Sequence, residues 1–377
     1  MTSSRYFINP TDRLQTADAH QELLASLTRI NTYNPPVQTC STTWSFHGFY
    51  TGPTSVAYLF YRLSQLYPNL EFKHQSMAEW AEEYLKLGAR VQRQAPTPSH
   101  CGIGNETLAH LSLAAVMSQD TSLARQLCSY AAAINSTTDD GSKEWLYGRA
   151  GYLYFLRLCR TAFGEQGHSA TVALLDRTIE ATVDRMLTVP RPWLWHGKQY
   201  LGAAHGTIGI ICQIVLSQPS AGPKLEQELS ALLDHQFKSG NYPSSLPAGS
   251  DRLVQFCHGG PGFVLSLRSL LPYFPRLGEQ IRRAIGAAQV DIWQRGLLTK
   301  EPCLCHGIAG NALALDDDGQ FEHFLSFTGT ALVEQRMGDV ARGDDVVSLY
   351  TGEAGRAWSW AVADTGSSRT CIAYNDL

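Results

Sequence analysis

The chain has 377 residues, 44% of them hydrophobic and 17% charged, enough to bury one large core or two ordinary ones. Its 30 basic and 34 acidic residues leave a formal charge of -4, with no long run of either sign. This balance excludes the clustered Lys and Arg of a nucleic-acid footprint and disfavours an anionic membrane surface.

The stretch MTSSRYFINPTD is polar, contains Pro10 and lacks the apolar core of a secretory signal. No uninterrupted apolar run of about 18 residues occurs, so no membrane-spanning helix is expected. A cytoplasmic protein is the expectation, with peripheral membrane association left open. The nine cysteines are an odd number for a disulfide framework. Most, such as Cys159 and Cys212, lie among apolar residues as small hydrophobes.

From Tyr50 onward one motif recurs: an aromatic or Cys/His residue, Gly-x-x-Gly, then an apolar run. It reads YTGPTSVAYLF at Tyr50, HCGIGNETLAHL at His100, LYGRAGYLYFL at Leu146 and AAHGTIGIICQ at Ala203. It continues as FCHGGPGFVLS at Phe256, LCHGIAGNALA at Leu304 and LYTGEAGRAWS at Leu349. The copy at His100 is weak, and there and at Tyr50 the second glycine of the pair is lost. The leading glycines, Gly52, Gly102, Gly148, Gly206, Gly259, Gly307 and Gly352, are separated by 50, 46, 58, 53, 48 and 45 residues. A near-constant period of this size predicts a repeat architecture.

Between the motifs lie segments of helical periodicity, such as SMAEWAEEYLKLG from Ser76, TVALLDRTIEATVDRM from Thr171 and KLEQELSALLDHQF from Lys224. Each repeat therefore reads as one amphipathic helix, a loop and a more apolar helix opened by glycine, about fourteen helices in all. Helices apolar all round cannot face water. The economical solution is a single all-α domain over 1–377 with apolar helices in an inner ring and amphipathic ones outside. Closing the ring removes the need for capping repeats. All seven glycine loops then gather at one end, around the axis.

Two of these loops carry Cys-His-Gly, as Cys257-His258-Gly259 and Cys305-His306-Gly307, and a third carries His205-Gly206. Thiolate and neutral imidazole are preferred zinc ligands, and three protein ligands leave the open position a catalytic zinc needs. Cys257, Cys305 and His306 are the expected set, holding one Zn2+ that deprotonates an incoming thiol. The competing reading is that the Cys-His pairs are buried packing. Cys303 offers another thiol, but Cys305 keeps the register to its glycine that Cys257 has. His258 supports a ligand or only hydrogen-bonds at a helix start.

The segments RYFINP, EWLYGRAGYLY, WLWHGKQYLGAAHGTIGI, NYPSS, LVQFCHGGPG, GLLTKEPCLCHGIAGNA and SLYTGEAG resemble those of the LanC-like proteins, their eukaryotic branch in particular. The resemblance runs from Arg5 to about Ala363. It implies an (α/α)7 toroid with one zinc, and matches Cys257, Cys305 and His306 to its ligands. Bacterial members add cysteine thiols to dehydroalanine or dehydrobutyrine to make lanthionine rings, and eukaryotic members bind glutathione. The resemblance implies addition of glutathione to dehydroamino acids in proteins or peptides, including those made by elimination of phosphoserine or phosphothreonine.

The same resemblance matches His205 to a general acid or base, a role suited to an imidazole near neutral pH. Glu144 matches an active-site carboxylate and Arg252 another active-site group. Arg5, Lys300 and Arg342 match basic contacts to glutathione, whose two carboxylates suit Arg and Lys. Three other readings stay open. One is a lanthionine-type peptide cyclase or natural-product tailoring enzyme, and one a non-catalytic glutathione-binding or signalling protein. The third, a glycosidase on a helical toroid, needs two flanking carboxylates where these loops offer Cys, His and Gly.

Overall fold

The computed structural model describes residues 5–10, 14–37, 44–89, 94–337 and 346–377. Among these residues are sixteen α-helices and two hairpins of two-residue strands. Helix α1 (Ala19–Tyr33) precedes α2 (Pro53–Leu66), α3 (Met77–Ala89), α4 (Glu106–Ser118), α5 (Thr121–Ser129) and the single turn α6 (Ala131–Ile134). Then come α7 (Arg149–Glu165), α8 (Ser169–Thr188), α9 (Thr207–Ser217), α10 (Glu226–Leu233), α11 (Gly260–Leu270) and α12 (Gly278–Arg295). The last four are α13 (Ile308–Ala312), α14 (Asp318–Ser326), α15 (Thr330–Met337) and α16 (Glu353–Thr365).

The expected all-α toroid of seven helix pairs is present. Its inner ring is α2, α4, α7, α9, α11, α13 and α16. In α9 every residue but Leu216 is buried, so this helix must be enclosed by its neighbours. Packing passes from α2 through α4, α7 and α9 to α11, and from α13 through α16 back to α2. The remaining junction is bridged where Arg268 of α11 donates through Nη1 to the carbonyl of Leu313 at 2.7 Å.

The pairing order differs from expectation. Each inner helix is covered by the helix that follows it: α3 on α2, α5 on α4, α8 on α7, α10 on α9, α12 on α11 and α14 on α13. Helix α16 is covered by α1 instead. The two ends of the described chain thus make the seventh pair and close the ring. Leu23, Leu27 and Ile30 of α1 are fully buried at this seam. Glu353 joins it by accepting from Arg29 Nε at 3.2 Å and from Arg356 Nε at 2.6 Å. Buried charges persist only when paired in this way.

Six of the seven leading glycines occupy the residue just before an inner helix. At Gly259 the backbone has φ +119, and a Cβ would lie 2.1 Å from the Leu253 carbonyl oxygen, so glycine alone fits. The weak copy departs from the pattern. Helix α4 is capped by Asn105, whose side chain accepts from Leu108 N at 3.0 Å, three residues beyond Gly102. A side-chain cap here replaces the glycine approach.

The loops before the inner helices are tied to one another. Cys257 N donates to Cys305 O at 3.2 Å, Cys305 N to Tyr350 O at 2.9 Å, and Tyr350 N to Tyr50 O at 3.1 Å. Phe49 N donates to Ile103 O, Ile103 N to Trp145 O and Leu146 N to Ala204 O. Gly202 sits so close to Cys257 that a Cβ would lie 2.3 Å from the Cys257 oxygen. Backbone contacts therefore run through all seven loops as a hoop.

The turn at residues 371–376 fills the space inside the inner ring. Its groups are held from five directions. Trp145 Nε1 donates to Ala373 O at 3.1 Å, Tyr350 OH to Ile372 O at 2.7 Å, and Gln213 of α9 to Tyr374 O at 2.9 Å. Ser266 of α11 and Tyr374 share a hydroxyl bond of 2.5 Å. The buried Asp376 carboxylate pairs with Arg62 of α2 and accepts from Tyr154 OH of α7 at 2.8 Å. Above the turn, Trp145, Phe256, Tyr350 and Tyr374 pack ring to ring. The glycine-loop end is a cup with an aromatic floor.

Candidate functional site

Four loops build the cup's working side. Glu144 begins the loop before α7 and is 1% exposed. Its Oε1 accepts from Ser142 Oγ at 2.9 Å and Tyr147 N at 2.7 Å, and its Oε2 from Leu146 N at 2.8 Å. The same Oε2 lies 3.0 Å from His205 Nδ1, on the loop before α9. A carboxylate so held fixes the imidazole tautomer with hydrogen on Nδ1 and leaves Nε2 free to exchange a proton.

The His205 ring is further clamped. Trp195 stacks on it with centroids 3.9 Å apart and planes within 5°. Tyr147 lies parallel at 6.0 Å. His258, on the next loop, is 6.0 Å away. Its Nδ1 is buried without a partner, and burial together with the His205 charge pushes its pKa down to about 4. His258 is therefore a neutral ring at physiological pH.

One step further round, Cys257 and Cys305 meet. Both are buried, 7% and 4% exposed, and their thiols are within hydrogen-bonding reach of each other. This contact lowers the Cys257 pKa, helped by Gln255 and by the charge of Lys300. It raises that of Cys305, as two neighbouring thiols cannot both ionise easily. Gln255 Nε2 donates to Cys257 Sγ at 3.0 Å and Tyr50 OH to Cys305 Sγ at 3.2 Å. Cys303 is fully buried and its thiol is pushed up to about 12 by burial. Cys305, not Cys303, faces Cys257.

His306 is placed differently from the expectation of a gathered trio. Its Nε2 is 3.9 Å from Glu301 Oε2, and burial and the Lys300 charge lower its pKa. Among the described residues no three His, Cys, Asp or Glu side chains form a metal-binding group. The two thiols satisfy each other while His306 turns toward Glu301. The donor chemistry still suits zinc: two buried soft sulfurs, with a neutral imidazole on the residue after Cys305.

The basic residues divide into three cases. Lys300 is exposed and close enough for its charge to act on both Cys257 and His306. Arg5 lies beside it, because Thr299 N donates to Arg5 O at 3.0 Å. Arg5 Nε is buried without a hydrogen-bond partner. Arg252 is exposed on the segment before Cys257, and no hydrogen bond or ion pair among the described residues brings it to the site. Arg342 lies outside the described residues.

A family model for lanthionine synthetase C-like protein matches residues 44–320. The chain belongs to this LanC-like family. It is 32% identical over 184 residues to a Danio rerio protein named glutathione S-transferase LANCL1, covering 45% of this chain and 44% of that protein. It is 30% identical over 210 residues to the LanC-like protein GCL1 of Arabidopsis thaliana, covering 52% and 45%. Each match spans less than half of the relative's own length. No helix among the described residues is long and apolar enough to cross a membrane.

Three residues of this LanC-like site lacked an assigned role in the sequence. Tyr50 stands two before its leading glycine, the register of Cys257 and Cys305, so position marks it. Gln255 stands four before Gly259, as Glu144 does before Gly148. Trp195 has no such register. It lies in the widest interval between leading glycines, 58 residues, and that excess length is its one signal.

Proposed function

We propose that this chain joins the thiol of glutathione to dehydroalanine or dehydrobutyrine residues in peptides or proteins, forming thioethers. The observation that carries this reading is the part-buried Glu144–His205 pair, with His205 on the loop that adjoins Cys257 of the Cys257–Cys305 thiol pair. An acid–base group and a soft cation site then share one cup. The Danio rerio relative's name, glutathione S-transferase, supports the choice of thiol.

Cys257, Cys305 and His306 would hold the zinc, which supplies a deprotonated thiol at neutral pH when bound. Lys300 and Arg5, side by side, would take the glutathione carboxylates. His205 would protonate the α-carbon position after the thiol sulfur bonds to the β-carbon, with Glu144 holding its ring. Where the substrate carries phosphoserine or phosphothreonine, His205 would first remove the α-proton as the phosphate leaves.

The test is mass spectrometry after incubation with glutathione and a dehydroalanine peptide. A gain of one glutathione that disappears in His205→Ala supports the reading. Ring closure by a cysteine already in the peptide would replace it with the cyclase reading. Glutathione binding without any adduct would leave a binding protein.

A further inference from the structure

A site that activates one thiol against an electrophilic alkene has a hazard of its own. Cys257 and Cys305 are sulfur nucleophiles too, and the same β-carbon could alkylate them. Burial hides them in part, but the cup must admit the alkene to within bonding distance of an incoming sulfur.

The geometry around the two sulfurs answers this hazard. Beyond the contact between the two thiols, each sulfur accepts from the side chain of a neutral residue: Cys305 Sγ from Tyr50 OH at 3.2 Å and Cys257 Sγ from Gln255 Nε2 at 3.0 Å. Neither donor is free to wander. The Tyr50 ring stacks on Tyr350 with centroids 5.4 Å apart and planes within 15°, and its carbonyl accepts from Tyr350 N. Gln255 is 6% exposed, and its N donates to His258 O at 3.2 Å. Tyr350 has the register of Tyr50, yet its hydroxyl is spent below, on Ile372 O at 2.7 Å. The donor of loop one is therefore a specific arrangement and not a general property of a tyrosine at that register.

We propose that Tyr50 and Gln255 are positioning residues that cap the sulfurs of Cys305 and Cys257, directing the electrophile to the incoming thiol and away from the protein's own cysteines. A hydrogen bond to an ionised sulfur stabilises the resting lone pair, and that stabilisation is lost as the pair moves into a new C–S bond. In the unwanted step the cysteine sulfur gives its electron pair to the β-carbon, and the α-carbon takes a proton from solvent. The caps slow this step without touching the incoming thiol. The inference rests on the reading of Cys257 and Cys305 as metal ligands in the proposed function.

The experiment uses the full chain as purified, its zinc content measured, with N-ethylmaleimide and a dehydroalanine peptide as electrophilic probes. Alkylation is followed at each cysteine by peptide mass mapping. Tyr50→Phe, which keeps the stacked ring, is expected to speed alkylation of Cys305 by about three- to tenfold and leave Cys257 unchanged. Gln255→Met is expected to do the converse. The buried Cys303 and Cys371 report on the fold, and their rates are expected to stay constant. Equal rates at Cys305 in wild type and Tyr50→Phe overturn the proposal. So does a uniform rise that includes Cys303 and Cys371, which assigns the protection to burial alone. Zinc-free wild-type protein would defeat the metal reading, while the site-by-site contrast would still report on the caps.

Discussion

Glu144 Oε2 lies 3.0 Å from His205 Nδ1, although 61 residues separate them. Because three further donors hold the Glu144 carboxylate, its position does not depend on the histidine. Glu144→Gln keeps the shape and removes the charge that stabilises a protonated ring. Adduct formation with glutathione should fall about 10- to 100-fold, with little change in KM. Glu144→Ala should also lower the unfolding free energy by about 1–3 kcal/mol, since Leu146 N and Tyr147 N lose their acceptor. Thermal melts separate the two effects, and an unchanged rate in Glu144→Gln would remove the dyad from the mechanism.

Cys305→Ala deletes one of the two paired thiols. Zinc per chain, measured by plasma emission after gel filtration, should drop below half of the wild-type value, whereas Cys303→Ala should retain it. Full zinc in Cys305→Ala would mean that the cation, if bound, sits elsewhere.

Lys300 acts electrostatically on Cys257, and the Arg5 backbone is bonded to the neighbouring Thr299. Lys300→Ala or Arg5→Ala should weaken glutathione binding by roughly tenfold each in isothermal titration, with kcat changed less than KM. Arg252→Ala should have a smaller effect, because Arg252 is exposed and not drawn to the site.

Protonation of His323 is expected to loosen its contacts with Asn9 and Gln15. Its Nδ1 accepts from Gln15 N at 2.8 Å and its Nε2 meets Asn9 Oδ1 at 2.9 Å. Only the neutral ring satisfies the first of these bonds, and burial lowers the His323 pKa. The unfolded chain therefore takes up the proton first. Stability is complete above the ordinary histidine pKa near 6.5 and falls as pH drops below it. Melting temperature at pH 5 should be lower than at pH 8, with faster amide exchange at Gln15. His323→Gln should flatten this dependence.

Asp376 has a fully buried side chain paired with Arg62 and bonded to Tyr58 and Tyr154. Asp376→Ala leaves the guanidinium unpaired and should cost about 3–5 kcal/mol in chemical denaturation. A smaller loss than 1 kcal/mol would mean that water replaces the carboxylate.

The architecture was legible because glycines at a fixed period have few other meanings. So was the thiol pair, since Cys257 and Cys305 share a register. Glycine spacing misplaced the second loop, where Asn105 does by a side-chain hydrogen bond what glycine does elsewhere by small size. The trio with His306 was expected as gathered, and the structure instead sets its ring toward Glu301. Trp195 was hidden because it acts through ring stacking, which no spacing rule encodes. The covering of α16 by α1 was equally out of reach, since periodicity assigns helices and not their partners.

That last pairing bears on how the molecule is made. During synthesis α1 emerges early, and the helix that covers its apolar face, α16, emerges more than 300 residues later. At ribosomal rates of about 5–20 residues per second, Leu23, Leu27 and Ile30 wait on the order of tens of seconds without their native neighbour. The other six pairs are local and can form as they appear. The nascent chain is thus an open, growing arc with one sticky end, and it becomes a ring in a single late event. Chaperone dependence should track the hydrophobicity of α1 more closely than that of any other outer helix.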